Sequence, residues 1–217
     1  MGTVAELPRP LPKGASKGEQ TRRRILDVAQ EAILAKGFDA TSIEEIVAGA
    51  DITKSGFFYH FRDKNELARA LLEMSIEDDR ALLEDVFRRG HELSDDPLHA
   101  FLVGLKLFAE VMADMPNGHP GCIVTTVCYQ ERLIDPEVRA LNRQVVLNWR
   151  AHFLAELEAV AERYPPREPV DLVSLADMLS TTVEGGIVMS KALGQPMLLS
   201  EQILLQRGYI KLLFAPS

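Results

Sequence analysis

The stretch SIEEIVAGADITKSGFFYHF, residues 42–61, holds two short helical patterns separated by a turn. Ser42 with Glu45 three residues on makes a capping box, and Ile43, Ile46, Val47 and Ala50 supply a buried stripe for a helix that ends near Ala50. Thr53 then caps a second helix running to Phe61, in which Phe57 and Phe61, four apart, anchor one face inward. Two short helices joined by a tight turn are what a major groove admits. The outward face of the second offers Thr53, Lys54, Ser55, Tyr59 and His60, a mixture of donors, acceptors and one cation. Gly56 removes a side chain where a backbone approaches DNA. Lys64, at the start of the next helix, adds its charge to unpaired backbone N–H groups in a way that suits a phosphate. A helical hairpin with a solvated polar face has the same periodicity, so the pattern alone leaves both readings open.

Helical spacing continues on both sides of this segment. Ile25, Ala29, Ala32 and Ile33 predict a helix over 19–36, closed by Gly37. Asp63 with Glu66 caps a helix that runs on through Leu67, Leu71 and Met74. Breakers at Asp95-Asp96-Pro97, Pro116 to Gly121, Pro165-Pro166 with Pro169, and Gly194-Gln195-Pro196 separate further helices near 97–114, 121–132, 135–163, 170–193 and 200–213. No period-2 stretch is bounded by hairpin turns, so the fold class is all-α. Residues 1–16, with three prolines and two glycines, read as a flexible arm.

A net charge of −8 over 217 residues argues at first against a nucleic-acid partner. The average hides a gradient: residues 1–64 carry a net +1, residues 65–217 a net −9, and residues 1–24 alone a net +4. A locally basic face on an acidic body is compatible with DNA. No run of about 18 uninterrupted apolar residues is present, and Pro8, Arg9, Pro10 and Pro12 stand where a signal peptide needs apolar residues, so a cytoplasmic protein with no membrane partner is expected. Two cysteines, Cys122 and Cys128, form no disulfide framework and no paired C-x-x-C spacing.

Thr21 through Lys64 resembles the TetR family of repressors. The resemblance is carried by Ile25-Leu26-Asp27-Val28-Ala29, Gly37-Phe38-Asp39-Ala40-Thr41-Ser42-Ile43, Ile46-Val47, and the run Ser55-Gly56-Phe57-Phe58-Tyr59-His60-Phe61-Arg62-Asp63-Lys64-Asn65-Glu66-Leu67. It implies a three-helix helix-turn-helix DNA-binding domain at the N-terminus, joined by a long helix to a larger helical ligand-binding and dimerisation domain. The expected division is an arm over 1–16, the DNA-binding domain over 17–79 with its helix-turn-helix at 42–61, and the second domain over 80–217. By the resemblance Tyr59 and His60 lie at phosphate-contacting positions, Lys64 begins the connecting helix, and Thr53, Lys54 and Ser55 become base readers, with Ser42 opening the motif. The chain departs from the family at the turn, where Ala50-Asp51-Ile52 replaces Ala-Gly-Val, and at Phe58, where a smaller aliphatic residue is usual.

The resemblance also implies a homodimer on a palindromic operator, released by a small-molecule inducer, with two C-terminal helices per subunit in a four-helix interface. The pair is expected at Asp171–Leu193 and Ser200–Phe214, with Met178, Leu179, Gly185, Gly186, Leu204 and Ile210 in the interface. Gly185-Gly186 inside a helix suggests that another backbone comes close, as at a dimer axis. An apolar or aromatic inducer is expected between the connecting helix and residues 97–163, near Phe101, Leu105, Phe108, Met112, Val127, Trp149 and Phe153. Cys122, at a helix start with His119 nearby, and Cys128 read either as a thiol sensor of redox state or electrophiles or as two small buried residues. Zinc at His119, Cys122 and Cys128 lacks a fourth ligand, so no metal and no cofactor is expected. Nucleotide loops, nucleophile elbows and zinc-protease motifs are absent from the sequence, and no enzyme is expected.

Overall fold

Helix starts in this chain follow its capping residues. Thr53 accepts from the Gly56 N–H, Asp96 from that of His99 with Pro97 in the first turn, and Asp171 from that of Ser174. The computed structural model describes residues 14–129 and 135–215, and among these the chain is nine helices with no strand. They are α1 (Lys17–Lys36), α2 (Ile43–Gly49), α3 (Lys54–His60), α4 (Lys64–Leu93), α5 (Pro97–Ala113), α6 (Ile123–Cys128), α7 (Pro136–Arg163), α8 (Leu172–Leu193) and α9 (Leu198–Phe214).

The first helix begins earlier than its apolar spacing suggests, because Ser16 and Glu19 form a complete capping box. The expected arm therefore ends in an ordered cap, and its first thirteen residues lie outside the described residues. The end of the helix expected over 121–132 also lies outside them.

The chain divides into two compact units. One comprises residues 14–78 and 120–145, the other residues 79–119 and 146–215 of those described. Helices α4 and α7 each begin in the first and end in the second. Residues 120–145 thus group with the N-terminal helices, which a single cut near residue 79 does not express. In the first unit Ile25, Leu26, Ala29 and Ile33 of α1 are buried together with Ile46, Phe57, Phe61 and Leu67. In the second, α5 and α8 both pack on α9. Phe87, Phe101, Phe153, Trp149 and Phe108 form a chain of ring contacts there, with centroids 5.6–6.0 Å apart. Helix α8 is apolar and long enough to cross a membrane by length and composition, but Leu175, Ala176, Leu179, Val183 and Ile187 are buried within the unit.

Candidate nucleic-acid interface and ligand cavity

Phe57 and Phe61 are 0% and 1% exposed, while Tyr59 between them is 84% exposed. A seven-residue helix is too short to stand alone, so the two buried rings, 5.7 Å apart, hold α3 to its unit and leave the opposite face to solvent. That face carries exposed Lys54, Ser55 and Tyr59 beside the cap residue Thr53, and His60 at its margin. Thr53 Oγ1 accepts from the Gly56 N–H at 3.1 Å and lies 2.9 Å from Ser55 Oγ. Gly56 serves this cap: a Cβ there would stand 3.3 Å from Thr53 Oγ1, so its small size makes room for the hydroxyl. Ser42 caps α2 through the Glu45 N–H at 3.2 Å, but the box is half made, because the Glu45 carboxylate pairs with Lys36 instead. The turn between α2 and α3 survives its departure from glycine. Asp51 takes φ +49°, and it is the one non-glycine residue with positive φ among those described.

Charge on this face is only loosely tied. Lys54 Nζ lies 2.7 Å from Glu44 Oε1 with both side chains more than 60% exposed, and it holds the Glu44 carboxyl below the usual carboxylate range. Such a pair contributes little and is readily exchanged for a phosphate. His60 is shifted below its ordinary pKa by burial and then by the Arg22 charge, so at neutral pH it is an uncharged imidazole able to donate one hydrogen bond. Lys64 has a partner within the chain. Its ammonium donates to the Phe38 carbonyl at 2.7 Å, lies 4.5 Å from the centre of the Phe38 ring, and is shifted down mainly by burial. It fastens the start of α4 to the segment between α1 and α2.

The profile of bacterial regulatory proteins of the tetR family matches residues 25–71, which span α2, the turn and α3. The helix-turn-helix segment of this chain is of the tetR type. The transcriptional regulator AcuR of Cereibacter sphaeroides is 24% identical over 186 residues, covering 83% of this chain and 80% of AcuR. The HTH-type transcriptional regulator AcrR of Shigella flexneri is 35% identical over 63 residues, so that this chain spans only 29% of AcrR's length. In structure, the regulatory protein TetR from Rhodobacter sphaeroides matches 87% of this chain and 98% of its own with a TM-score of 0.73 at 21% identity. The reduced form of Escherichia coli NemR matches 91% and 98% with a TM-score of 0.73 at 17% identity. These structural likenesses establish the all-helical TetR fold.

Within that fold α8 and α9 sort the expected interface residues onto two sides. Leu179, Gly186 and Ile210 turn inward and pack within the chain. The close backbone approach expected at the glycine pair occurs between α8 and α9: a Cβ on Gly186 would stand 2.7 Å from Leu199 Cδ1 and 3.2 Å from Leu199 Cα, whereas Gly185 faces open space. Leu204 is exposed and Met178 half-buried. With Leu204, further apolar side chains stand in solvent: Val188, Met189 and Leu193 on α8, and Leu205, Tyr209 and Leu212 on α9.

The expected ligand residues also part. Leu105, Phe108 and Phe153 line a void of about 10 Å³ together with Leu179, Ile203 and Gln206. Phe101 and Met112 are buried in the same unit but do not line it. Trp149 touches Phe108 and Phe153, and its indole N–H donates to Asp79 at 2.9 Å. Cys122 and Val127 belong to the other unit. Cys122 is half-buried at the N-cap of α6 and makes no capping hydrogen bond with its side chain. Cys128 is exposed, which disfavours the reading of two small buried residues, and its sulfur accepts from Asn142 Nδ2 at 3.1 Å. His119 is pushed down to about 4, first by burial and then by the Lys191 charge, so it supplies no imidazolium at neutral pH. Gln206 went unnoticed in the sequence, although it is the polar residue between Ile203 and Ile210 on an apolar face.

Proposed function

We propose that this chain is a transcriptional repressor that binds a palindromic operator as a homodimer and leaves it when a small apolar or aromatic inducer binds the second unit. One observation carries the reading. On α3 a fully buried pair of rings fixes a face on which Thr53, Lys54, Ser55 and an 84% exposed Tyr59 stand free of the core. Hydroxyls and one loosely held cation on a short, capped helix are suited to base edges and phosphates. In this reading Lys54 and Ser55 meet bases, Tyr59, His60 and Ser42 meet the backbone, and Thr53, Gly56 and Lys64 hold the reader in shape. A single seven-residue helix reads too little sequence, and a second copy about one duplex turn away, roughly 34–36 Å, doubles the contacts. The exposed apolar side chains of α8 and α9 favour a second copy of the chain as their partner. An inducer acts by preferring a dimer geometry that no longer matches the operator, and its effect is bounded by that preference. Such work on DNA belongs in the cytoplasm.

Selection of bound fragments from a library of genomic duplexes by the full chain tests this reading. Enrichment of an inverted repeat with half-sites about 10 base pairs apart, centre to centre, is expected. Enrichment of no common sequence overturns it.

A further inference from the structure

Gln206 is 8% exposed, and its Nε2 is buried without a hydrogen-bond partner. Its Oε1 is scarcely better placed. It accepts from Thr182 Oγ1 at 3.3 Å, while the same hydroxyl makes a shorter bond, 2.8 Å, to the Met178 carbonyl. A buried carboxamide in this state is costly to the fold, and an apolar residue of the same size is the less costly choice. Gln206 lines the void in the second unit, whose other walls include Leu105 and Phe108 of α5, Phe153 of α7 and Ile203 of α9, with no charged side chain among them. The neighbouring Arg207 is engaged elsewhere, its Nε donating to the Leu102 carbonyl at 2.7 Å.

We propose, building on the ligand-responsive reading above, that the inducer is a neutral, largely apolar molecule with one hydrogen-bond-accepting oxygen, held at this void by Gln206. The apolar walls take the hydrocarbon, Gln206 donates to the oxygen, and the lack of a lining cation selects an uncharged carbonyl over a carboxylate. A void of about 10 Å³ has room for roughly one water molecule, so an inducer enters by parting the walls. Helix α9 is the wall that matters. Ile203 and Gln206 face inward on it, while Leu204, Leu205 and Leu212 stand on its solvent side. A ligand that displaces α9 therefore displaces the apolar face assigned to the dimer, which links occupancy of the void to the spacing of the two readers.

The test is calorimetric titration of the full chain with acetophenone, with ethylbenzene, which has the same shape without the oxygen, and with benzoate. Wild type should bind the ketone about tenfold tighter than the hydrocarbon, and benzoate more weakly than the ketone. Gln206→Met should abolish the preference for the ketone and raise the melting temperature, because it removes an unpaired amide. Ile203→Ala, which enlarges the void, should tighten ketone and hydrocarbon alike and keeps the test open should Gln206→Met fold poorly. Equal affinities for ketone and hydrocarbon in wild type, a ketone preference that persists in Gln206→Met, tightest binding of benzoate, or no binding of any probe by wild type or Ile203→Ala would each overturn the proposal. Binding to the selected operator is measured in parallel. Intact operator binding with failed probe binding removes this inference alone, whereas lost operator binding in wild type removes the reading on which it rests.

Discussion

Helices α3 and α9 are built alike and exposed unlike. Each buries aromatic or branched side chains on one face, Phe57 on α3 with Phe61 directly after it, and Ile203, Ile210 and Phe214 on α9. On the outer face α3 shows a lysine, hydroxyls, a tyrosine and the 46% exposed Phe58, and α9 shows Leu204, Leu205, Tyr209 and Leu212. The inner faces determine where each helix sits. The outer faces differ in chemistry: hydroxyls and a cation suit a hydrated polyanion, and a mainly apolar strip suits another protein surface.

Substitutions can break this contrast one face at a time. The largest effect is expected inside the reader. Phe57→Ala removes a fully buried ring and should cost about 3–5 kcal/mol in urea unfolding, abolishing DNA binding with it. Leu205→Glu with Leu212→Glu changes only side chains that are 67% and 69% exposed, so the chain should stay folded while sedimentation shows dimer giving way to monomer, with Kd raised on the order of 100-fold. A dimer of unchanged stability would move the interface elsewhere. On the α3 face, Tyr59→Ala should weaken operator binding by about 10-fold or more in a filter assay with no loss of melting temperature, since the side chain is 84% exposed.

Acid acts on the second unit through His119. Its pKa in the folded chain, about 4, lies below that of the unfolded chain, 6.5, so the unfolded state binds the proton first. The stability tied to neutral His119 is present above pH 6.5 and is lost as pH falls toward 4. His119→Gln should flatten the dependence of the melting temperature on pH in that window. The smallest change is expected at the turn. Asp51→Gly relaxes a φ of +49° at the expense of a more flexible unfolded chain, and the stability from thermal unfolding should change by no more than about 1 kcal/mol, whereas Asp51→Val should clearly lower it.

Much of the reader was legible in the sequence because its determinants are local. Thr53 lies three residues before the N–H it caps, and Phe57 and Phe61 lie four apart, so short-range spacing reveals both cap and core. Even there a local signal was overlooked: Ser16 and Glu19 have capping-box spacing at the edge of a proline-rich stretch. The internal partner of Lys64 is not legible in the sequence for a different reason. Its acceptor is the Phe38 carbonyl, 26 residues away, and no helical period reports that distance. The body was less legible because α8 and α9 are apolar on more than one side. A hydrophobic stripe then identifies a helix but not which of Ile203, Leu204 and Leu205 faces in. Gly185 and Gly186 are equivalent as letters, and only the crossing with Leu199 distinguishes them. The void was invisible for the same reason, since its walls come from four helices distant in sequence.

The most direct measurement is fluorescence anisotropy of the full chain with the selected inverted repeat and with a shuffled duplex of the same composition, each titrated over a range of salt. The account predicts binding to the repeat that is at least about 10³-fold tighter than to the shuffled duplex, that weakens linearly on a log–log plot with salt, and that is largely lost in Tyr59→Ala. Equal and weak binding to both duplexes, unchanged by Tyr59→Ala, would contradict it.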